Sequence, residues 1–445
     1  MASLRTAVSW PNDKTYLFYD DDTYARYDSV SGLLVASGQP LSKWPGLPRS
    51  PDGFVWWGAD KAYAFTGATY LRYDEPSDRV DPDYLPPHTP FTLAAGWPGL
   101  PDGSDGGPDW RTGIDAAVNW GNGKLYLFKG AHYARYDITA DRVDPDYPRP
   151  IAGNWTGVFP SGVDAVAYPG GRYAYFFRGG QYQRFDVDAD AVDASGPLDA
   201  SFRLAPTPSG GVTAARLLTK EQANGLMADL LRRGKLTLKS PPFVDGTGGS
   251  GIVSPTPGQR VVVSPPSFDG IRYTNQIAPA SNVIDNLDQR MLIALYRLTR
   301  WINASKPDVA ELLHLGIGHG NPAHPNDCHN QGRAIDLSGI KGEVDGTAFT
   351  RSIQKHWGDL PPGFQQPGVV RITPALDPLA YGLFTTAFRF GTYECEGRAI
   401  GANNKWPMPE LAEGGFVVYP DHKDHGLAQQ HQNHIHMQIG VTNLP

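Results

Sequence analysis

The sequence predicts a multidomain protein: an all-β propeller of four blades over residues 1–205, then an α+β domain over 271–445, with a helix and a Pro/Gly/Ser-rich connection over 206–270. Three observations carry this reading. An aromatic motif recurs four times in the first half, the recurrence stops near Leu204-Ala205-Pro206, and ten of the 12 histidines lie between His314 and His436. Composition bounds what such a chain does. Its 445 residues carry a formal charge of −7, and the acidity belongs to residues 1–205, which hold 26 acidic against 18 basic side chains. A polyanion-binding face shows a basic surplus, so nucleic acid is not an expected partner. No run of about 18 apolar residues occurs, so no membrane span is expected. The 51 glycines and 40 prolines point to many turns and hence to many short strands.

The repeat accounts for the first domain. Tyr16-Leu17-Phe18 followed by Tyr24-Ala25-Arg26-Tyr27-Asp28 returns as Tyr63-Ala64-Phe65 with Tyr70-Leu71-Arg72-Tyr73-Asp74. It returns again as Tyr126-Leu127-Phe128 with Tyr133-Ala134-Arg135-Tyr136-Asp137, and as Tyr175-Phe176-Phe177 with Tyr182-Gln183-Arg184-Phe185-Asp186. The longest gap between copies contains Gly103-Ser104-Asp105-Gly106-Gly107-Pro108, an inserted loop by composition. A small apolar strand precedes each copy, such as Phe54-Val55-Trp56-Trp57. Aromatic residues alternate with small or polar ones at period two, the mark of a strand with one buried face. Each unit therefore reads as three or four short antiparallel strands, one blade of a propeller. Tyr24, Tyr70, Tyr133 and Tyr182 are assigned to the blade cores.

With the Phe-x4-Tyr-x-Arg-Tyr/Phe-Asp signature and an aspartate before the inner strand (Asp52, Asp115, Asp164), residues 4–204 resemble the hemopexin-like repeat family. The resemblance implies a four-bladed propeller around a narrow channel, acting as a binding or docking module for a protein or glycan ligand. It also implies a channel cation, Ca2+ or Na+, near Asp52, Asp115 and Asp164, although aspartates at such positions equally cap turns. Blade one departs from the pattern, because Arg5 stands where the other blades have Asp. No cysteine is available to tie first and last blades, so closure is expected to rest on packing.

Beyond the repeat, Thr219 with Gln222 three residues on fits a capping box opening a helix to about Arg233. Residues 240–270 read as a long connection. Leu287, Met291, Leu292, Leu295, Leu298, Trp301 and Ile302 recur at helical spacing and predict a core helix over 286–302. Short strands are expected at 312–317, 334–337, 416–419 and 435–441, with another helix over 375–389. This mixed order suggests a small antiparallel sheet with helices packed on one face.

Two motifs carry the chemistry. His329-Asn330-Gln331-Gly332-Arg333-Ala334-Ile335-Asp336 sets a His and an Asp seven apart, with the Asp on a strand. In His431-Gln432-Asn433-His434-Ile435-His436, residues 434 and 436 project to one face of a strand because side chains alternate. Two imidazoles and one carboxylate make a zinc site whose fourth position is left to water. In this order the motifs resemble the zinc peptidases of the LAS and M15 type, which include D-Ala-D-Ala carboxypeptidases and murein endopeptidases. The resemblance implies Zn2+ held by His329, Asp336 and His436, with His434 and His431 as catalytic groups beside it. His319 and His324, on the preceding loop, and Arg333 are further candidates for the pocket. Asp327 stands where that family often has Ser. Cys328 leaves two roles open, a zinc ligand or a bridge to Cys395.

These readings combine into an expected function. The chain is a zinc-dependent peptidase that cuts peptidoglycan stem-peptide or cross-link amides, targeted by the propeller. The opening residues lack an apolar core of about 7–15 residues. No signal peptide is therefore expected, and a cytoplasmic chain would reach the wall by release or by delivery as a toxin-like effector. Two alternatives stay open: a non-catalytic binding protein with a structural zinc module, and a peptidase acting on a host protein.

Overall fold

The structure is a computed structural model that describes residues 2–104, 106–241, 243, 255–304, 308–320, 322–323, 327–357, 377–395, 417–420 and 425–439. The chain divides into two compact units, Met1–Thr213 and Ala214–Pro445. In the first, four antiparallel sheets follow one another along the sequence. They are Leu4–Trp10 to Leu34–Pro40, Gly53–Gly58 to Arg79–Val80, Ala116–Asn119 to Arg142–Val143, and Ala165–Ala167 to Ala191–Pro197. The innermost strand of each sheet neighbours those of the sheets before and after it, and the fourth neighbours the first, which closes a ring of four blades.

Aromatic side chains fill the spaces between blades. Trp44 meets Trp10 and Tyr16 edge-on at 5.1 and 5.0 Å, and Trp97 and Trp155 play the same part further round the ring. Such offset and edge-to-face contacts are the geometry aromatic pairs prefer. Tyr24, Tyr70 and Tyr133 are buried in these cores, while Tyr182 is partly exposed and packs on Phe202 at 4.8 Å. Closure uses no disulfide. The segment after blade four returns to blade one, where Leu204 N donates to Gly32 O, Thr207 N to Ser29 O and Gly210 N to Asp13 Oδ1. Gly32 has φ +75° and lies against the Leu204 carbonyl, so a side chain there would meet backbone.

In the second unit the helix Lys220–Arg232 carries the full Thr219/Gln222 capping box. The helix Gln289–Asn303 packs against it and against Pro378–Phe390, and is buried on almost every side. It begins at Gln289, later than the hydrophobic spacing suggested. Ile284–Leu287 is a strand instead, and Asp288 caps the helix by accepting from Arg290 N. The reason lies at Asn286, which adopts φ +52° and spends its amide on the distant Gly318 O and Asn330 O. The main sheet has seven strands and is not wholly antiparallel. Ile271–Asn275 runs parallel to Asp308–Ile317, as a crossover through a helix permits. The strands Asp308–Ile317 and Ala334–Val344 are longer than the apolar runs within them. The stretch read as a connection contains two short strands, Val261–Val263 and Ser267–Phe268, while residues 242 and 244–254 lie outside the described residues. Val417–Val418 and Ile435–Gln438 complete the sheet.

Candidate metal centre

Strand register builds the centre. Ala334–Val344 and Ile435–Gln438 pair antiparallel with Asp336 directly opposite His436, which sets carboxylate and imidazole side by side on one face. On the other face Ile335, Leu337, Ile435 and Met437 are fully buried and hold the pair in register. His329 comes from the turn before the first of these strands. Its N–H donates to Asp327 Oδ1 at 2.7 Å, and its carbonyl accepts from Gly332 N at 2.9 Å. Gly332 has φ +65° and abuts the Asn286 carbonyl, a position only glycine takes easily.

Three atoms converge. His329 Nε2 lies 3.1 Å from Asp336 Oδ1 and 3.2 Å from His436 Nδ1, and His436 Nδ1 lies 2.8 Å from Asp336 Oδ1. Zinc bound at about 2.0–2.1 Å in tetrahedral geometry has ligand–ligand edges of about 3.3–3.4 Å. The triangle is therefore close to the right size, and small shifts would fit it. Tautomers fit as well. His436 Nε2 donates to Gln438 Oε1 at 2.8 Å, which leaves Nδ1 as the ligating nitrogen. His329 Nδ1 is buried without a hydrogen-bond partner among the described residues. Among those residues His329, Asp336 and His436 form the one group of three such side chains able to hold a metal ion.

Electrostatics agree with a site of concentrated charge. Burial works to raise the Asp336 carboxyl, but hydrogen bonds from His329 and His436 outweigh it and hold the group well below the usual carboxylate range. Burial opposes the charge on His436, yet its bond to Asp336 prevails and raises its pKa. A cation bound at Nδ1 requires that nitrogen without a proton, so metal binding there is coupled to pH. His434 is shifted down by burial, against the pull of Asp336. Its Nε2 stands 3.4 Å from Asp336 Oδ1, and its ring is 4.7 Å from that of His431.

Other candidates fall outside the triangle. His319 is exposed and pairs with Asp285 at 2.6 Å. His324 lies outside the described residues. Arg333 is buried and donates to the Ile439 carbonyl, tying its loop to the last strand. Cys328 and Cys395 are both buried and no disulfide joins them, and Cys328 is not among the converging atoms. In the propeller, Asp52, Asp115 and Asp164 do not converge either. Each accepts at 2.7 Å from a glycine N–H in its own blade's hairpin turn, Gly67, Gly130 and Gly179, and Asp52 is also paired with Arg5 and Arg49. Two residues near the centre carry no motif signal. Gln438 is found only by following the alternation two residues past His436. His314 is buried opposite Leu337, its Nδ1 has no partner among the described residues, and burial lowers its pKa to about 4.

Comparison with known proteins adds to the first unit. The family model described as Hemopexin matches residues 114–158, the third blade. Matrix metalloproteinase-21 of Xenopus laevis is 30% identical over 142 residues, 30% of this chain and 22% of that protein. Matrix metalloproteinase-25 of Homo sapiens is 44% identical over 64 residues, 14% of this chain and 10% of that protein. The chain thus spans about a fifth or less of the curated relatives it matches. Among solved structures, the hemopexin fold protein CP4 from cow pea has a TM-score of 0.37 at 21% identity, over 44% of this chain and 94% of that one. Repeat, ring of blades and family match together define the class: the N-terminal region is a hemopexin-like repeat domain.

Proposed function

We propose that the second unit is a zinc-dependent peptidase similar to the LAS and M15 type, that its substrates are peptidoglycan stem-peptide or cross-link amides, and that the hemopexin-like domain is the part that docks. The observation that supports this reading is the convergence of His329 Nε2, Asp336 Oδ1 and His436 Nδ1 within 3.2 Å of one another, with His434 beside them. When bound by those three residues, zinc supplies a Lewis acid and an acidified water. The chain's own groups do the rest. His434 Nδ1 donates to Asn433 Oδ1 at 2.7 Å, which leaves the lone pair on Nε2, facing Asp336. An imidazole in that tautomer takes a proton at Nε2 and returns it to the leaving amine. His431 packs against the ring of His434 and steadies it.

Metal analysis and digestion of purified muropeptides with wild type and His434→Ala test the proposal. The expected result is one zinc per chain in both proteins, and hydrolysis slowed about 100- to 10,000-fold by the substitution. Stoichiometric zinc with no cleavage of any muropeptide would overturn it in favour of a binding protein with a structural zinc module. A second reading, in which the peptidase cuts a protein, draws on the likeness of the first unit to proteins named matrix metalloproteinases. Incubation with mixed protein lysates distinguishes the two.

A further inference from the structure

Blade one differs from the other three at one ion pair. In blades two, three and four the repeat arginine bonds an aspartate on or beside the outer strand: Arg72 with Asp81, Arg135 with Asp144, and Arg184 with Asp193 through two bonds of 2.9 Å. Arg26 holds the same position in blade one, and the residue in the aspartate's place is Val35. Register establishes the equivalence. Arg26 lies opposite Ala36 as Arg184 lies opposite Ala194, and the strand shifts register at the next step in both blades. Among the described residues Arg26 makes no ion pair, and its buried Nε has no hydrogen-bond partner.

The surface around Arg26 is apolar. Of the large hydrophobic side chains exposed among the described residues, Val30, Leu33, Leu34 and Val35 cluster here, with Leu33 52% and Val35 47% exposed. The strand Leu34–Pro40 is the edge of its sheet and has no charged residue, the protection that edge strands ordinarily carry.

We infer that this edge is a docking surface for an extended, apolar segment of another protein that brings a carboxylate to Arg26. A guanidinium N–H buried without an acceptor is costly, and a carboxylate satisfies it with charge-assisted bonds of the kind Asp193 makes to Arg184. The exposed valines and leucines supply apolar contact, and the open strand edge supplies main-chain hydrogen bonds. One carboxylate fits better than an acidic run, because residues 1–205 are themselves acidic. The inference rests on the docking role of the propeller and is independent of the histidine centre.

Two substitutions in the full chain test it. Val35→Asp copies blade four and satisfies Arg26 from within, while Arg26→Gln removes the cation. A displayed random octapeptide library is panned against the wild type, and selected peptides are measured by fluorescence polarisation against all three proteins, with thermal melts in parallel. The expected peptides carry one Asp or Glu flanked by Val, Ile or Leu, and bind about tenfold or more weakly to either variant. Replacing their acid by its amide weakens them equally, and Val35→Asp melts no lower than wild type. Selected peptides that bind Val35→Asp as well as wild type would overturn the assignment of this surface and leave the docking role standing. Failure to select any peptide would count against both. Wild type that self-associates, with Val35→Asp monomeric, would assign the edge to a second copy of the chain and overturn the partner proposed here.

Discussion

The two units pair charge in opposite ways. In the propeller one ion pair is written four times: Lys14–Asp28, Lys61–Asp74, Lys124–Asp137 and Arg172–Asp186 each join the start of a blade's second strand to the end of its third. Every pair is satisfied inside its own hairpin. In the second unit Asp336 and His436 stand 100 residues apart, and Asp336 Oδ1 lies within 3.1 Å of both His436 Nδ1 and His329 Nε2. Buried nitrogens of His329 and His314 have no partner among the described residues. Charge that is repeated and satisfied marks a scaffold, whereas charge that converges once and under-satisfied marks a candidate for chemistry.

The comparison breaks if damage to one unit disables the other. Trp44→Ala empties the aromatic core between blades one and two and should lower stability by about 3–5 kcal/mol. Urea unfolding followed by propeller fluorescence should show the loss, with zinc stoichiometry unchanged. His436→Ala should act the other way, weakening zinc affinity more than about a hundredfold while the propeller transition stays where it was. Competition with a chromogenic chelator measures it. Gln438→Leu sharpens the contrast by leaving all three converging side chains in place. It frees the His436 tautomer, and a ten- to hundredfold loss of affinity is expected, on the order of second-sphere effects.

The smallest expected effect is a pH dependence in the scaffold. The hydrogen bond from Lys14 and others from Ser31 hold Asp28 down to about 2 against a usual 3.8. The folded-state pKa is the lower one, so the stabilisation is fully present above 3.8 and is lost as pH falls through about 2. For a partly exposed pair it amounts to about 1 kcal/mol or less. Acid unfolding of Lys14→Met should be flatter than wild type between those two values, and an unchanged slope would remove the pair from the account.

Legibility in the sequence followed locality. Each blade is a run of adjacent hairpins, so period-two alternation revealed it without reference to any other blade. Thr219 and Gln222 are three residues apart and make their reciprocal bonds within one turn. The residue types at the centre were legible as motifs, but Gln438 and His314 were not, since nothing local separates them from any other strand residue. The start of the core helix was misplaced for a related reason. Its hydrophobic spacing continues through Leu287, and only the long-range bonds of Asn286 to Gly318 and Asn330 turn that stretch into a strand.

By itself, then, the sequence determined the fourfold repeat, the Thr219/Gln222 helix cap and the types of residue gathered at each motif. These depend on hydrogen bonds and side-chain periodicity within a few residues. Tertiary structure alone decided the parallel strand pair, the Asp336–His436 register and the return of Leu204 to Gly32. Each of those joins segments far apart in the chain, and their pairing is selected by the burial of whole strand faces, a quantity that no local window of residues contains.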